Sequence, residues 1–206
     1  MKRSRAKFHI DEIPKIRALA SPVRAAVVDA LEVIGPATIE RVARVLGYPP
    51  DGLYYHFGVL ERNRLVVRIG PEKGAGAARF DLPGHPATLR YRLEDRRQRG
   101  AIVKVVGTMV RSAERAFRRA FAPGLATAQG PRRNLRAGRR TAWLTATELA
   151  RLNRHIEAIH SLFGRGVPRR TGARLHEFTY VLAPIVAAGR RAPGRSRSPR
   201  SQGGRS

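Results

Sequence analysis

The side chains that could catalyse a reaction or bind a metal are few, and their spacing suits neither task. The chain has no cysteine, which excludes thiolate catalysis, iron–sulfur clusters and Cys-ligated zinc. His155 and His160 lie about 140° apart around a helix, so they cannot share a metal ion. Gly74 and Gly76 are followed by Arg79 where a dinucleotide-binding fingerprint needs a third glycine. We therefore expect no enzyme, no metal site and no cofactor.

Cationic side chains are what this chain has in excess. With 41 Lys and Arg against 15 Asp and Glu, the formal net charge is +26. Such an excess indicates a polyanionic partner, because each phosphate that a cation neutralises releases counterions. The charge is uneven, since residues 8–83 carry ten basic and nine acidic side chains, whereas residues 84–188 carry 21 and six.

Three short helices would position the contacts of the nearly neutral segment. Ser21 and Pro22 are typical of a helix start, and apolar residues spaced three or four apart predict an amphipathic helix over 23–34. Thr38 and Gly47 are typical of the start and end of a second helix, and Pro50 begins a third. Two short helices that meet at a tight turn are typical of the motif that places its second helix in a major groove.

After the third helix, the pattern changes to that of a hairpin. The β-branched run 65–69 and the alternating residues 79–82 predict two strands, and a glycine-rich turn joins them. Lys73 at the turn and Arg79 on the return strand suit a wing that lies along a phosphate backbone or enters a minor groove. The alternative is a loop with two incidental charges.

Residues 16–83 resemble the winged helix-turn-helix of the bacterial ArsR-like transcriptional regulators. Ser-Pro-x-Arg at 21–24, the positioning helix from 38 to 47, and Leu-Tyr-Tyr-His-Phe at 53–57 carry this resemblance. It implies a DNA-binding regulator of transcription. Metal-sensing members have two close cysteines on the positioning helix, where this chain has Ala-Thr-Ile-Glu at 37–40, so the resemblance does not extend to that metal site.

On the third helix, Leu53, Phe57 and Leu60 are predicted to face the core. The remaining side of the helix and the wing supply the predicted DNA-binding residues, which are Pro50, Asp51, Gly52, Tyr54, Tyr55, His56, Gly58, Lys73 and Arg79. The tyrosines can offer hydroxyls to phosphates or rings to thymine methyl groups. Two structural alternatives stand beside these roles: Tyr55 packed under the wing, and His56 as a partly buried, hydrogen-bonded imidazole.

The second half of the chain predicts a region for dimerisation or for effector binding. A long helix over 94–121 carries an apolar stripe from Ile102 to Phe121, and Thr145 with Glu148 forms a capping box for a helix that ends at 163. Its apolar residues follow a heptad seam. That seam predicts a homodimer, with an intradomain core helix as the alternative. Short strands are predicted over 88–93 and 175–183.

The expected fold is mainly α with a small β wing, a winged helix-turn-helix followed by a helical (α+β) dimerisation or effector region. It divides into a basic N-terminal arm over 1–12, the winged domain over 13–83, the second region over 84–188, and a disordered basic tail over 189–206. A small-molecule effector is compatible with this plan, but no residue identifies one.

The expected function is that of a dimeric, sequence-specific, repressor-type regulator that binds double-stranded DNA. The alternative is a nonspecific nucleic-acid-binding protein, either chromosome-compacting or RNA-binding. The longest apolar run, 181–188, is far shorter than the roughly 20 residues of a membrane span, and Asp11, Glu12 and Lys15 interrupt a secretory apolar core. We expect a cytoplasmic, nucleoid-associated protein.

Overall fold

The computed structural model describes residues 7–70, 77–163 and 173–185. The predicted wing residue Lys73 and the predicted tail over 189–206 lie outside these ranges. The elements that the described residues form are, in chain order, β1 (Phe8–Ile10), α1 (Ile13–Leu19), α2 (Pro22–Ile34), β2 (Ala37–Thr38), α3 (Ile39–Leu46), α4 (Asp51–Arg62), β3 (Val67–Ile69), β4 (Arg79–Asp81), β5 (Ala87–Leu89), α5 (Arg96–Arg119) and α6 (Ala146–Phe163). The fold is mainly α with a small β wing, as predicted.

The helix boundaries of the winged motif follow local chemistry. The Thr38 hydroxyl accepts from the backbone N–H of Arg41 at 3.3 Å and so caps α3, and Gly47 ends α3 at a φ of +69°, a conformation that costs glycine little. At α2, Ser21 makes no side-chain capping bond. Pro22 still begins this helix because its fixed φ suits the first turn.

A three-stranded antiparallel sheet in the order β2-β4-β3 completes the winged motif. Both predicted wing strands form, and Arg68 and Ala37 flank Phe80 from the two neighbouring strands. Strand β2 was not predicted, because two residues are too few to show an alternating pattern. It joins the wing to the start of α3.

The first strand pairs in parallel with β5, with Phe8 opposite Ala87 and Ile10 opposite Leu89. Residues 8–10, which were predicted to belong to a basic arm, are therefore part of a sheet. The predicted strand over 88–93 is wrong beyond Leu89. Tyr91 and Leu93 are 55% and 69% exposed. A longer strand would therefore gain no stabilisation from burying these side chains.

One hydrophobic core joins the winged motif to the start of the second half. The fully buried residues include Ile16, Leu31 and Phe57, and the same cluster contains Ile102 and Val105 of α5. Helix α5 packs mainly against α1. The predicted division at residue 83 stays a prediction, but the first turns of α5 share the core of the winged domain.

Three polar side chains hold this junction. Gln98 is 4% exposed and links the segments that follow β1 and β5, while the Thr108 hydroxyl donates to the carbonyl of Ala20 at 3.0 Å.

The ring of His85 lies between the carboxylates of Glu32 and Asp81, with Nδ1 3.0 Å from the first and Nε2 3.3 Å from the second. These contacts fix the end of β4 against α2.

Helix α5 begins after Asp95, whose carboxylate accepts from the backbone N–H groups of Arg97 and Gln98. The helix predicted over 94–121 is confirmed, but the predicted apolar stripe is buried only near its start. Its distal members are less buried, with Val110 49% and Phe121 68% exposed, because contact with the end of α1 reaches only as far as Thr108, about halfway along the helix.

Helix α6 confirms the predicted capping box, in which Glu148 Oε2 accepts from the Thr145 backbone at 2.8 Å and the Thr145 hydroxyl accepts from Glu148 N–H at 3.3 Å. No residue of α6 is buried. The strand predicted over 175–183 is wrong, since the described residues there form no regular element. An alternating pattern is not sufficient for a strand, which also needs a neighbouring strand to pair with.

In the described ranges, no helix has the length and apolarity of a membrane span.

Candidate nucleic-acid interface

Helix α4 is the element with a buried face and an open face that the recognition role requires. Leu53, Phe57 and Leu60 are all at most 1% exposed, and the ring centroids of Phe57 and Phe80 lie 4.8 Å apart. The helix thus sits on α2, α3 and the wing strand β4. This anchoring, which was predicted, turns the remaining side of α4 outward.

The outward side carries the residues at the N-terminal end of the helix. Pro50 precedes the helix, and its carbonyl accepts from Leu53 N–H at 2.8 Å. Asp51 and Gly52 are exposed in the first turn, whereas Gly58 is half-buried. A Cβ added to Gly58 would lie 3.5 Å from the Arg62 guanidinium. Of the two glycines, Gly52 therefore leaves the more open surface.

Tyr54 and Tyr55 are 53% and 69% exposed, so both side chains reach solvent. The prediction that Tyr55 packs under the wing is wrong. It is Tyr54 that makes the tertiary contact, and its hydroxyl donates to Glu40 Oε1 on α3 at 2.9 Å. The helix-turn-helix angle sets this contact, which links residues 14 positions apart.

His56 is half-buried, and its ring stands edge-on to Tyr55 at a centroid distance of 5.4 Å. Burial, with the positive charge of Arg24 as a second cause, lowers the pKa of His56 below its ordinary value of 6.5. Its Nδ1 is buried and has no hydrogen-bond partner among the described residues. The alternative of a hydrogen-bonded imidazole is therefore only half right: the ring is partly buried, but this nitrogen is unpaired there.

The wing is fastened to the helices at both of its strands. The Arg68 guanidinium lies over the Phe80 ring at 5.0 Å and reaches Glu61 of α4 at 3.3 Å. Arg79 is exposed, and its guanidinium donates to the carbonyl of Pro36 at 2.9 Å. These contacts hold β3 and β4 beside α4, so both can meet one nucleic-acid surface.

Two further cations on α3 were not among the predicted site residues. Arg41 and Arg44 are exposed, opposite the buried Ile39, Val42 and Ala43. The sequence did contain a signal for these two residues, because they lie between the apolar residues of an amphipathic helix and must therefore face solvent. A guanidinium there suits phosphate binding beside the recognition helix.

The second half presents further exposed arginines. Those of the segment between α5 and α6 lie at positions 132, 133, 136, 139 and 140, and each is exposed. Among the residues that the structure describes, no group of three or more His, Asp or Glu side chains is arranged to hold a metal ion. The same region exposes large apolar side chains, among them Trp143 and Leu162, so its open surface is both cationic and apolar.

The family comparison agrees with the helix-turn-helix. Residues 19–69 match the family model described as Helix-turn-helix domain, a range that runs from the end of α1 to the end of β3. No curated protein matches the chain.

Two crystal structures match this chain over most of its length. One is a MarR family transcription regulator, 15% identical, with a TM-score of 0.28 over 73% of this chain and 78% of that chain. The other is RV1404 from Mycobacterium tuberculosis, 14% identical, with a TM-score of 0.28 over 75% and 85%. The matched helix-turn-helix and the wing packed beside it support a DNA-binding transcription regulator.

Proposed function

We propose that this protein is a sequence-specific, repressor-type transcription regulator that binds duplex DNA as a homodimer. The observation that carries the proposal is the open face of α4, where Tyr54 and Tyr55 stand exposed on a helix anchored by fully buried residues. An anchored helix with an open polar face is what insertion into a major groove requires. The resemblance of residues 16–83 to the ArsR-like regulators supports the same role.

In this arrangement, α4 contributes the base contacts and the surrounding elements contribute phosphate contacts. Arg41 and Arg44 on α3 and Arg79 on the wing are exposed cations, and each suits a backbone phosphate rather than a base edge. The open face of α4 itself holds no arginine or lysine before Arg62. Affinity therefore depends on the flanking cations, and specificity depends on the α4 face.

The homodimer accounts for apolar surface that a single chain leaves open. Phe121, Trp143 and Leu162 are 68%, 81% and 76% exposed, and a helix with no buried residue, such as α6, is only marginally stable in water. An open groove between the end of α5, residues 125–140 and residues 176–181 is lined by apolar residues such as Phe117 and Phe178 and by arginines such as Arg132 and Arg136. A second copy of this chain is the occupant that we propose for its apolar part.

The exposed arginines of residues 132–140 favour a second candidate, nonspecific nucleic-acid binding for chromosome compaction or RNA binding. Selection of bound sites from a random duplex pool separates the two functions. A regulator enriches a palindromic site, because a twofold dimer reads two half-sites. A nonspecific binder enriches no site.

Tyr54→Ala tests the role of α4 directly. We expect this variant to keep the fold, since Tyr54 is exposed, and to bind the selected site about 1–3 kcal/mol more weakly, the range for a lost base contact. Leu53→Asp is the contrasting variant, because it places a charge in the core and unfolds the winged domain. Unchanged binding by Tyr54→Ala refutes the assignment of the groove face.

Leu152→Asp tests the dimer. Leu152 is half-buried on α6. If α6 forms the subunit interface, an aspartate at this position should separate the subunits and leave a folded monomer that binds the selected site more weakly. Sedimentation of the wild-type chain at micromolar concentration comes first. A monomer near 22.8 kDa contradicts the dimer.

A further inference from the structure

An exposed hydrogen bond joins the two helices of the helix-turn-helix at the surface proposed to meet DNA. The Tyr54 hydroxyl on α4 lies 2.9 Å from Glu40 Oε1 in the first turn of α3. Tyr54 is 53% exposed and Glu40 is half-buried. Neither side chain belongs to the buried core, so the bond lies on the surface that we propose meets DNA.

The protonation of the pair is fixed by its surroundings. Hydrogen bonds from the Thr38 side chain, the backbone and the Tyr54 hydroxyl lower the pKa of Glu40 below its usual range. The same carboxylate raises the pKa of Tyr54. At neutral pH the carboxylate is therefore ionised. The phenol keeps its proton and donates a hydrogen bond to Glu40.

With its proton committed, Tyr54 can only accept further hydrogen bonds. A carboxylate likewise only accepts. Phosphate oxygens are acceptors and carry negative charge, so the pair forms no hydrogen bond with the DNA backbone and is repelled by it. In the major groove, the base groups that donate are the exocyclic amino groups, N4 of cytosine and N6 of adenine.

Building on the proposed function, we propose that Glu40 and Tyr54 form an acceptor pair that selects a base whose exocyclic amino group lies in the major groove, cytosine or adenine, at one position of each half-site. Glu40 is then a specificity-determining residue, because it holds the tyrosine hydroxyl in its accepting orientation. Guanine O6 and thymine O4 are rejected at this position, since the committed hydroxyl has no proton to offer them.

The competing account gives Glu40 only a charge. In that account the bond to Tyr54 opens when DNA binds, the hydroxyl donates to a phosphate, and the carboxylate merely weakens binding to every sequence. The two accounts differ on Glu40→Gln and Glu40→Ala. Both variants remove the charge, but only glutamine keeps a side-chain oxygen that can accept from the hydroxyl.

The experiment uses the full chain as wild type, Glu40→Gln, Glu40→Ala and Tyr54→Phe, each checked for fold by circular dichroism. Sites are selected from a random duplex pool. Affinities are then measured on selected duplexes in which one adenine is replaced by purine, or one cytosine by 2-pyrimidinone. Both analogues lack the exocyclic amino group and keep the ring.

We expect removal of the amino group at one position per half-site to weaken wild-type binding about 3- to 10-fold, the factor that one hydrogen bond of ordinary strength contributes. Glu40→Gln keeps this sensitivity. Glu40→Ala and Tyr54→Phe lose it, because neither retains a hydroxyl held by an acceptor.

The inference is overturned if Glu40→Gln and Glu40→Ala both keep the sensitivity or both lose it, or if Tyr54→Phe remains as sensitive as wild type. A wild-type site in which every amino group can be removed without loss also overturns it, while the proposed function stands. A wild-type chain that enriches no site refutes both, so the two failures are distinguishable.

Discussion

Gln98 joins three separate segments at the start of α5, and its replacement tests whether that helix belongs to the winged core. Its Oε1 accepts from the backbone N–H of Arg92 at 2.5 Å, and its Nε2 donates to the carbonyl of Asp11 at 2.6 Å. The side chain is 4% exposed. One residue thus ties the chain after β1 and the chain after β5 to α5.

The structure gives the size of the effect of Gln98→Ala. Two hydrogen bonds contribute about 1 kcal/mol each, and the one methylene lost from a buried position contributes about 0.8 kcal/mol. We therefore expect the free energy of unfolding to fall by about 3 kcal/mol. This is a large share of the roughly 5–15 kcal/mol that stabilises a typical domain.

Urea unfolding of the full chain, followed by far-ultraviolet circular dichroism, measures this change. With a slope of about 1–3 kcal/mol per molar urea, the midpoint should move down by about 1 M or more and the slope should stay the same. Arg99→Ala is the matched control, since Arg99 is exposed on the same turn of α5 and its loss should change stability by less than about 0.5 kcal/mol.

Gln98→Met separates hydrogen bonding from packing. Methionine has a similar volume and no strong donor or acceptor, so we expect a loss of about 2 kcal/mol, the part due to the two hydrogen bonds. If Gln98→Ala is as stable as Arg99→Ala, the first turns of α5 are not part of the winged core and the reasoning is refuted.

Two further predictions concern α4. Phe57→Ala should lower the free energy of unfolding by about 3–5 kcal/mol, because the ring is 1% exposed against Phe80 and its loss leaves a cavity; a smaller loss in a urea titration means that α4 is not anchored as described. For His56, burial and Arg24 lower the pKa in the folded chain, so the unfolded chain binds the proton more readily and wild-type stability should fall as the pH drops below about 6.5. His56→Gln removes this contribution, and an equally steep pH dependence in that variant contradicts the prediction.

Several helix ends were predictable because their causes are local. Thr38 caps α3, Gly47 ends it, and Thr145 with Glu148 opens α6. Each of these signals depends on residues within one turn of the helix. The buried face of α4 was predictable for a similar reason, since the spacing of Leu53 and Phe57 already defines one side of a helix.

The failures concern contacts between distant parts of the chain. The alternation over 175–183 predicted a strand, but a strand also needs a neighbour with free backbone groups, and the sequence pattern cannot supply one. Conversely, β1 was overlooked because its partner β5 lies far along the chain. The apolar stripe of α5 was predicted to need a partner, but only the tertiary structure shows that the part up to Thr108 finds one within the chain.

The sequence by itself determined the positive charge, the absence of thiol chemistry, the helix-turn-helix and the side of α4 that faces the core. Only the tertiary structure decided that Tyr54 meets Glu40, that Tyr55 stays open and that Gln98 joins α5 to the winged motif. Caps and periodicity arise from interactions within a few residues, so they are written in short stretches of sequence. A contact between two helices depends on the angle and distance at which the whole core packs them, and no short stretch of sequence contains that information.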